Sequence, residues 1–161
     1  MKPTVYLETS IIGYLAMRTS RVLRVAANQQ TTLEWWDNHR KECELRVSRF
    51  VVDECSNGDS DAVRERLVFL EGVPLLELSD DVYVLAQSLL AGIPLPEKAE
   101  FDALHISVAA VNGVEYLMTW NCKHIANPAL RPRIESVCRE SGYEPPVICT
   151  PQEMLEIDDV N

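Results

Sequence analysis

Val5-Tyr6-Leu7-Glu8-Thr9-Ser10 sets the architecture of this chain. Its apolar half reads as a short buried strand, and Glu8-Thr9-Ser10 follows as a group that opens a helix. Glu8 then stands at the carboxyl end of a strand. In open parallel sheets the crevice outside the strand ends is where ligands bind, which places this carboxylate for chemistry rather than for surface solvation.

The pattern continues outward from this stretch. A strand near residues 4–8 leads to a short helix from Ile11 to Ala16 and a longer one from about Ser20, a candidate cap, to Cys43. Leu45 to Phe50 predicts a second strand, and Val51 to Asn57 a helical turn closed by Gly58. A helix opened by Asp59, Ser60 or Asp61 runs to about Leu70. Gly72-Val73-Pro74 then leads into a third strand, Leu75 to Leu78, and a helix from Ser79 to Ala91. After the proline-containing loop at residues 92–96, Glu97 to Val111 has helical spacing, with Asp102 and His105 on one face. Val114 to Thr119 is a fourth strand, Pro128 to Ser141 a helix, and Val147-Ile148-Cys149 a last strand. Strands alternating with helices predict one α/β domain over residues 1–161: a three-layer α/β/α fold with a central, mostly parallel sheet of four to five strands.

Composition agrees with a single soluble domain: 161 residues, 47% hydrophobic and 25% charged. The first residues carry no charged-then-apolar leader and no stretch approaches a membrane span, so a cytoplasmic location is expected, with no membrane partner. Five cysteines without a C-x-x-C pair favour neither a disulfide framework nor a zinc knuckle, and predict reduced, mostly buried thiols. A net charge of −10 excludes a broad basic face that would hold nucleic acid by counterion release. Any nucleic-acid contact must be local.

Glu8, Glu54, Asp102 and Asn121 all fall where strand ends are expected to converge. Three carboxylates suit a hard cation such as Mg²⁺ or Mn²⁺, which prefers oxygen ligands and, for Mg²⁺, keeps several waters. A metal so held lowers the pKa of a water and stabilises charge on a phosphoryl oxygen.

Four segments, Val5-Tyr6-Leu7-Glu8-Thr9-Ser10, Ser48-Arg49-Phe50-Val51-Val52-Asp53-Glu54, Asp102 to Ala110 and Tyr116-Leu117-Met118-Thr119-Trp120-Asn121, in this order, resemble the PIN domain family. The resemblance runs from Val5 to about Ile148 and is closest to VapC-like toxins of type II toxin–antitoxin systems. It implies a metal-dependent ribonuclease in which Glu8, Glu54, Asp102 and Asn121 match the family's acidic positions, and Thr9 and Ser10 its accompanying hydroxyls, with Ser10 also a candidate substrate contact. It also makes a homodimer and a cognate antitoxin reasonable expectations. The chain departs from the common pattern at Glu8 and Asn121, usually aspartates, and at Lys123, where a further acid is frequent. Less negative charge in the site predicts one metal rather than two. Lys123 is then a candidate phosphate contact, or a salt-bridge partner of Glu8 or Asp102.

Each position also has a structural reading. Glu8 could cap a helix, a role that Thr9 or Ser10 could fill instead. Glu54 could be a solvated acid beside a surface Asp53, Asp102 part of a charged first turn with Glu97, Lys98 and Glu100, and Asn121 a turn residue. His105, His124 and His39 lack the clustering of a zinc site and read as structural. Trp120, immediately before Asn121, is the aromatic placed to stack a base, whereas Trp35-Trp36 reads as packing. Arg18, Arg21 and Arg24, and Arg131 with Arg133, are either phosphate clamps or solvated faces. Two rival functions stand beside the ribonuclease. One is a catalytically silent PIN-like module that binds a protein or RNA partner. The other, a small-molecule phosphohydrolase, is disfavoured because no D-x-D follows the first strand.

Overall fold

The structure, a computed structural model, describes residues 1–96 and 99–157. Four strands form one all-parallel sheet: β1 (Thr4–Leu7), β2 (Glu44–Arg46), β3 (Tyr116–Met118) and β4 (Val147–Cys149), in the order β2-β1-β3-β4. Between them run α1 (Thr9–Ala16), α2 (Leu23–Asn38), α3 (Arg49–Cys55), α4 (Ser60–Leu70), α5 (Asp80–Gly92), α6 (Glu100–Val111) and α7 (Arg131–Glu140), with α8 (Pro151–Ile157) after β4.

The connection from β1 to β2 through α1 and α2 steps one way across the sheet, and the connection from β3 to β4 through α7 steps the other. Parallel crossovers are right-handed, so these helices cover opposite faces and give three layers. α1 packs on α2, α3 and α4, and α8 on α2, while α5 packs on α6 and α7. Strands buried on both faces must be apolar throughout. Val5, Tyr6, Leu7, Leu117 and Met118 accordingly show no exposed surface. The chain order reverses between β1 and β3, which opens the crevice at their carboxyl ends where Glu8 was expected.

Several boundaries differ from the expectations. The second strand stops at Arg46, and Ser48 instead begins α3 in extended conformation, so that Phe50 and Val51 are buried from a helix. The third strand, Leu75 to Leu78, reduces to one bridge between Val47 and Leu75. Pro74 has no N–H for a ladder, and Leu75 is exposed at an edge that nothing extends. The long second helix begins at Leu23 and ends at Asn38, followed by a 3-10 turn at Arg40–Glu42. Its cap position is Val22 rather than Ser20, because the Gln29 side chain accepts from Ser20 N and donates to the Met17 and Arg18 carbonyls, pinning the preceding segment in an extended path. The expected helix from Pro128 starts at Arg131, after a turn in which Asn127 Oδ1 accepts from Ala129 N. The expected start of α6 at Glu97 and Lys98 lies outside the described residues. α8 was not anticipated. Among the described residues no helix is long and apolar enough to cross a membrane.

Candidate metal centre at the strand ends

Glu8 follows β1 directly and is the N-cap of α1. Its side chain accepts from Ser10 N at 3.0 Å through Oε2, and from Ser10 Oγ at 2.6 Å and Thr119 Oγ1 at 2.5 Å through Oε1. The capping alternative for Glu8 therefore holds, and the Thr9 and Ser10 hydroxyls, which could have capped in its place, donate to Glu54 and Glu8. Ser10 Oγ also accepts from Trp120 N at 2.8 Å, tying the end of β3 to the start of α1. Glu8 is 6% exposed, so each of these bonds replaces lost water.

Glu54 sits in the last turn of α3, a full helix rather than an isolated turn. Its Oε1 accepts from Thr9 Oγ1 at 2.8 Å and from His105 Nε2 at 2.5 Å, while no hydrogen bond within the protein reaches Oε2 among the described residues. Burial acts to raise this carboxyl, but the hydrogen bonds from His105 and Thr9 outweigh it and leave Glu54 below the ordinary carboxylate value. Asp53 faces outward and pairs with Arg49 at 2.8 Å, as expected for a surface acid.

Asp102, in the first turn of α6, accepts from Asn121 Nδ2 at 3.1 Å through Oδ1 and contacts His124 Nδ1 at 2.7 Å through Oδ2. Its carboxyl is raised, by burial first and by the nearby Glu8 charge, against the lowering effect of His124. Two acids that repel across a cleft gain from a cation between them. Asn121 Oδ1 accepts from His124 N and its Nδ2 donates to Asp102, so both ends of its amide are engaged. Asn121 therefore helps orient Asp102, while its Oδ1 keeps a second lone pair at the cavity.

These residues line a single open cavity of about 520 Å³. Glu8, Glu54, Asp102 and Asn121 form its polar floor, and Gly13, Tyr14, Met17, Val25 and Trp120 its walls. Trp120 is fixed by Nε1 donating to Thr32 Oγ1 at 2.8 Å and by an edge contact with Tyr14. Lys123 is exposed on the following turn and makes no ion pair with Glu8 or Asp102 among the described residues. Arg18, Arg21 and Arg24 are exposed, and Met17 and Val25, which line the cavity, flank them in the chain. Arg131 donates to the Ala126 carbonyl through one Nη, and Arg133 donates to the Gly92 carbonyl through Nε while remaining exposed. Trp35 is buried and Trp36 packs on Phe69.

An all-carboxylate donor set matches a hard cation, and Glu54 Oε2 and both Asp102 oxygens keep acceptor capacity. Among the described residues, no three His, Cys, Asp or Glu side chains are grouped so as to hold an ion between them alone. The cleft thus offers hard oxygen donors of the kind Mg²⁺ and Mn²⁺ prefer, without a closed set of three ligands among the described residues. Sequence reasoning missed Thr119, Tyr6 and Ser48, whose side chains support the acids. Tyr6 and Thr119 read there only as strand residues, and a hydroxyl in an apolar strand end was the available signal. In comparisons with known proteins, no family model and no curated sequence matches the chain.

Proposed function

We propose that the protein is a PIN-like, metal-dependent ribonuclease that hydrolyses RNA phosphodiester bonds in this cleft, acting in the cytoplasm as the VapC-like toxin of a toxin–antitoxin pair. The observation that carries the reading is the convergence of Glu8, Glu54 and Asp102, from the end of β1, from α3 and from α6, on one cleft at the sheet's switch point. Bound Mg²⁺ or Mn²⁺ would supply an activated water and charge neutralisation at the phosphoryl oxygens. Glu8, Glu54 and Asp102 would hold that ion, each kept in place by its own hydroxyl, imidazole or amide partners.

Trp120 offers a fixed ring at the cleft wall on which a base can stack. Lys123, Arg18, Arg21 and Arg24 supply exposed positive charge for RNA phosphates in a protein whose net charge is −10. Ser10, bonded to both Glu8 and Trp120 N, acts on substrate through those partners. A second copy of the chain and an antitoxin segment are the protein partners that go with this reading.

A silent binding module is the second reading. It is favoured by one observation: Asp102 is already engaged at both oxygens by Asn121 and His124. Incubating labelled single-stranded RNA with the protein under a Mg²⁺ and Mn²⁺ series separates the two. Metal-dependent cleavage that Asp102→Asn and Glu8→Gln abolish supports the nuclease. RNA binding without cleavage, unchanged in those variants, supports the module.

A further inference from the structure

Behind Glu54 lies a row of buried polar groups that the fold alone does not require. Tyr6, Ser48 and His105 are 0%, 0% and 1% exposed. Ser48 Oγ and Tyr6 Oη lie 2.7 Å apart, Tyr6 Oη and His105 Nδ1 2.7 Å, and His105 Nε2 and Glu54 Oε1 2.5 Å. The row spans β1, the start of α3, and α6, and ends on the one cleft acid with an oxygen free of hydrogen bonds among the described residues.

Ser48 occupies the N-cap of α3, where serine ordinarily bonds a backbone N–H of the first turn. Its side chain makes no such bond here and turns inward to Tyr6. A local rule of helix capping is thus given up for the interior network, the kind of departure that marks a functional constraint.

We infer that Ser48, Tyr6 and His105 form a directed hydrogen-bond strut that fixes Glu54, making His105 and Tyr6 positioning residues of the cleft. An ionised carboxylate only accepts, so His105 Nε2 carries the proton it donates to Glu54. Nδ1 then accepts from the Tyr6 hydroxyl, which in turn accepts from Ser48. Burial pushes the Tyr6 phenol well above its ordinary value, so it keeps the proton it donates. With Oε1 held by both His105 and Thr9, Glu54 presents Oε2 to the cavity in one orientation. Partners of this kind set the orientation and basicity of a metal's carboxylate ligands.

The role of the strut in cation binding rests on the proposed metal reading, while its geometry is testable without metal. Nitrogen-15 NMR of the metal-free protein is expected to show His105 as the Nε2–H tautomer, with Nδ1 losing its hydrogen-bonded signature in Tyr6→Phe. Mn²⁺ affinity, followed by electron paramagnetic resonance, is expected to fall about tenfold or more in His105→Ala and to recover partly in His105→Gln, which restores an N–H donor. Circular dichroism confirms that each variant is folded. An Nδ1–H tautomer in the parent, or folded Tyr6→Phe and His105→Ala proteins that bind Mn²⁺ as the parent does, would overturn the inference. A parent that binds no Mn²⁺ but shows the expected tautomer refutes the metal reading and leaves the strut standing.

Discussion

Glu54 and Asp102 face the same cleft, yet their surroundings push them in opposite directions. Glu54 is lowered from 4.5 although burial alone would raise it, because His105 and Thr9 favour its charged form. Its folded value lies below its unfolded one, so it contributes stability that is present above the ordinary carboxylate range and lost as pH falls through the lowered value. Asp102 is raised, chiefly by burial, so ionising it costs stability as pH climbs through its folded value. Melting temperatures of the metal-free protein between about pH 3 and 6 should show a shallower acid loss in Glu54→Gln than in the parent. Identical acid limbs would contradict this assignment. The thiols give an independent residue-scale check. Burial pushes Cys55 and Cys138 up to about 11 and Cys149 up to about 12, whereas Cys122 is exposed. A thiolate-specific reagent at about pH 8 should label Cys122 rapidly and spare those three until the protein unfolds.

At the scale of elements, two glycines in helices should respond to the same substitution with opposite sign. Gly13 lies within α1, and a methyl group there would meet nothing within 4 Å, so Gly13→Ala should stabilise by about 0.5–1 kcal/mol through lower backbone entropy in the unfolded chain. Gly92 closes α5, where a Cβ would stand 2.9 Å from Val137 Cγ2 of α7. Gly92→Ala should cost about 1–3 kcal/mol by overpacking, as measured by urea denaturation. Elements with strong local signals were legible beforehand: Val5-Tyr6-Leu7 as a buried strand, the start of α4 among Asp59, Ser60 and Asp61, of which Asp59 is the cap, and Val147-Ile148-Cys149 as β4. Thr150-Pro151-Gln152-Glu153 carried a signal that went unread. Thr150 N donates to Glu153 Oε1 and Glu153 N to Thr150 Oγ1, a reciprocal capping box with proline in the first turn of α8. The stretch Leu45 to Phe50 was ambiguous for a different reason. Apolar residues buried on a helix and on a strand look alike over six positions, and Ser48 was the only punctuation.

For the whole molecule, the site depends on topology more than on any local pattern. The four expected site residues lie 113 positions apart at their extremes, from Glu8 to Asn121, and the reversal of strand order between β1 and β3 brings them to one cavity. That convergence was legible because strand ends are where an α/β chain collects polar groups. The supporting network was not, since Tyr6, Ser48 and Thr119 look like ordinary core and loop positions until three elements pack together. The same convergence concentrates negative charge in a protein already at −10, which a bound cation would relieve. Calorimetric titration of Mn²⁺ and Mg²⁺ into the parent, Glu8→Gln and Asp102→Asn proteins measures this directly. Saturable binding of about one ion by the parent, weakened tenfold or more in each folded variant, is the predicted result. Equal binding by all three proteins, or none by the parent, would contradict a cation held by Glu8, Glu54 and Asp102.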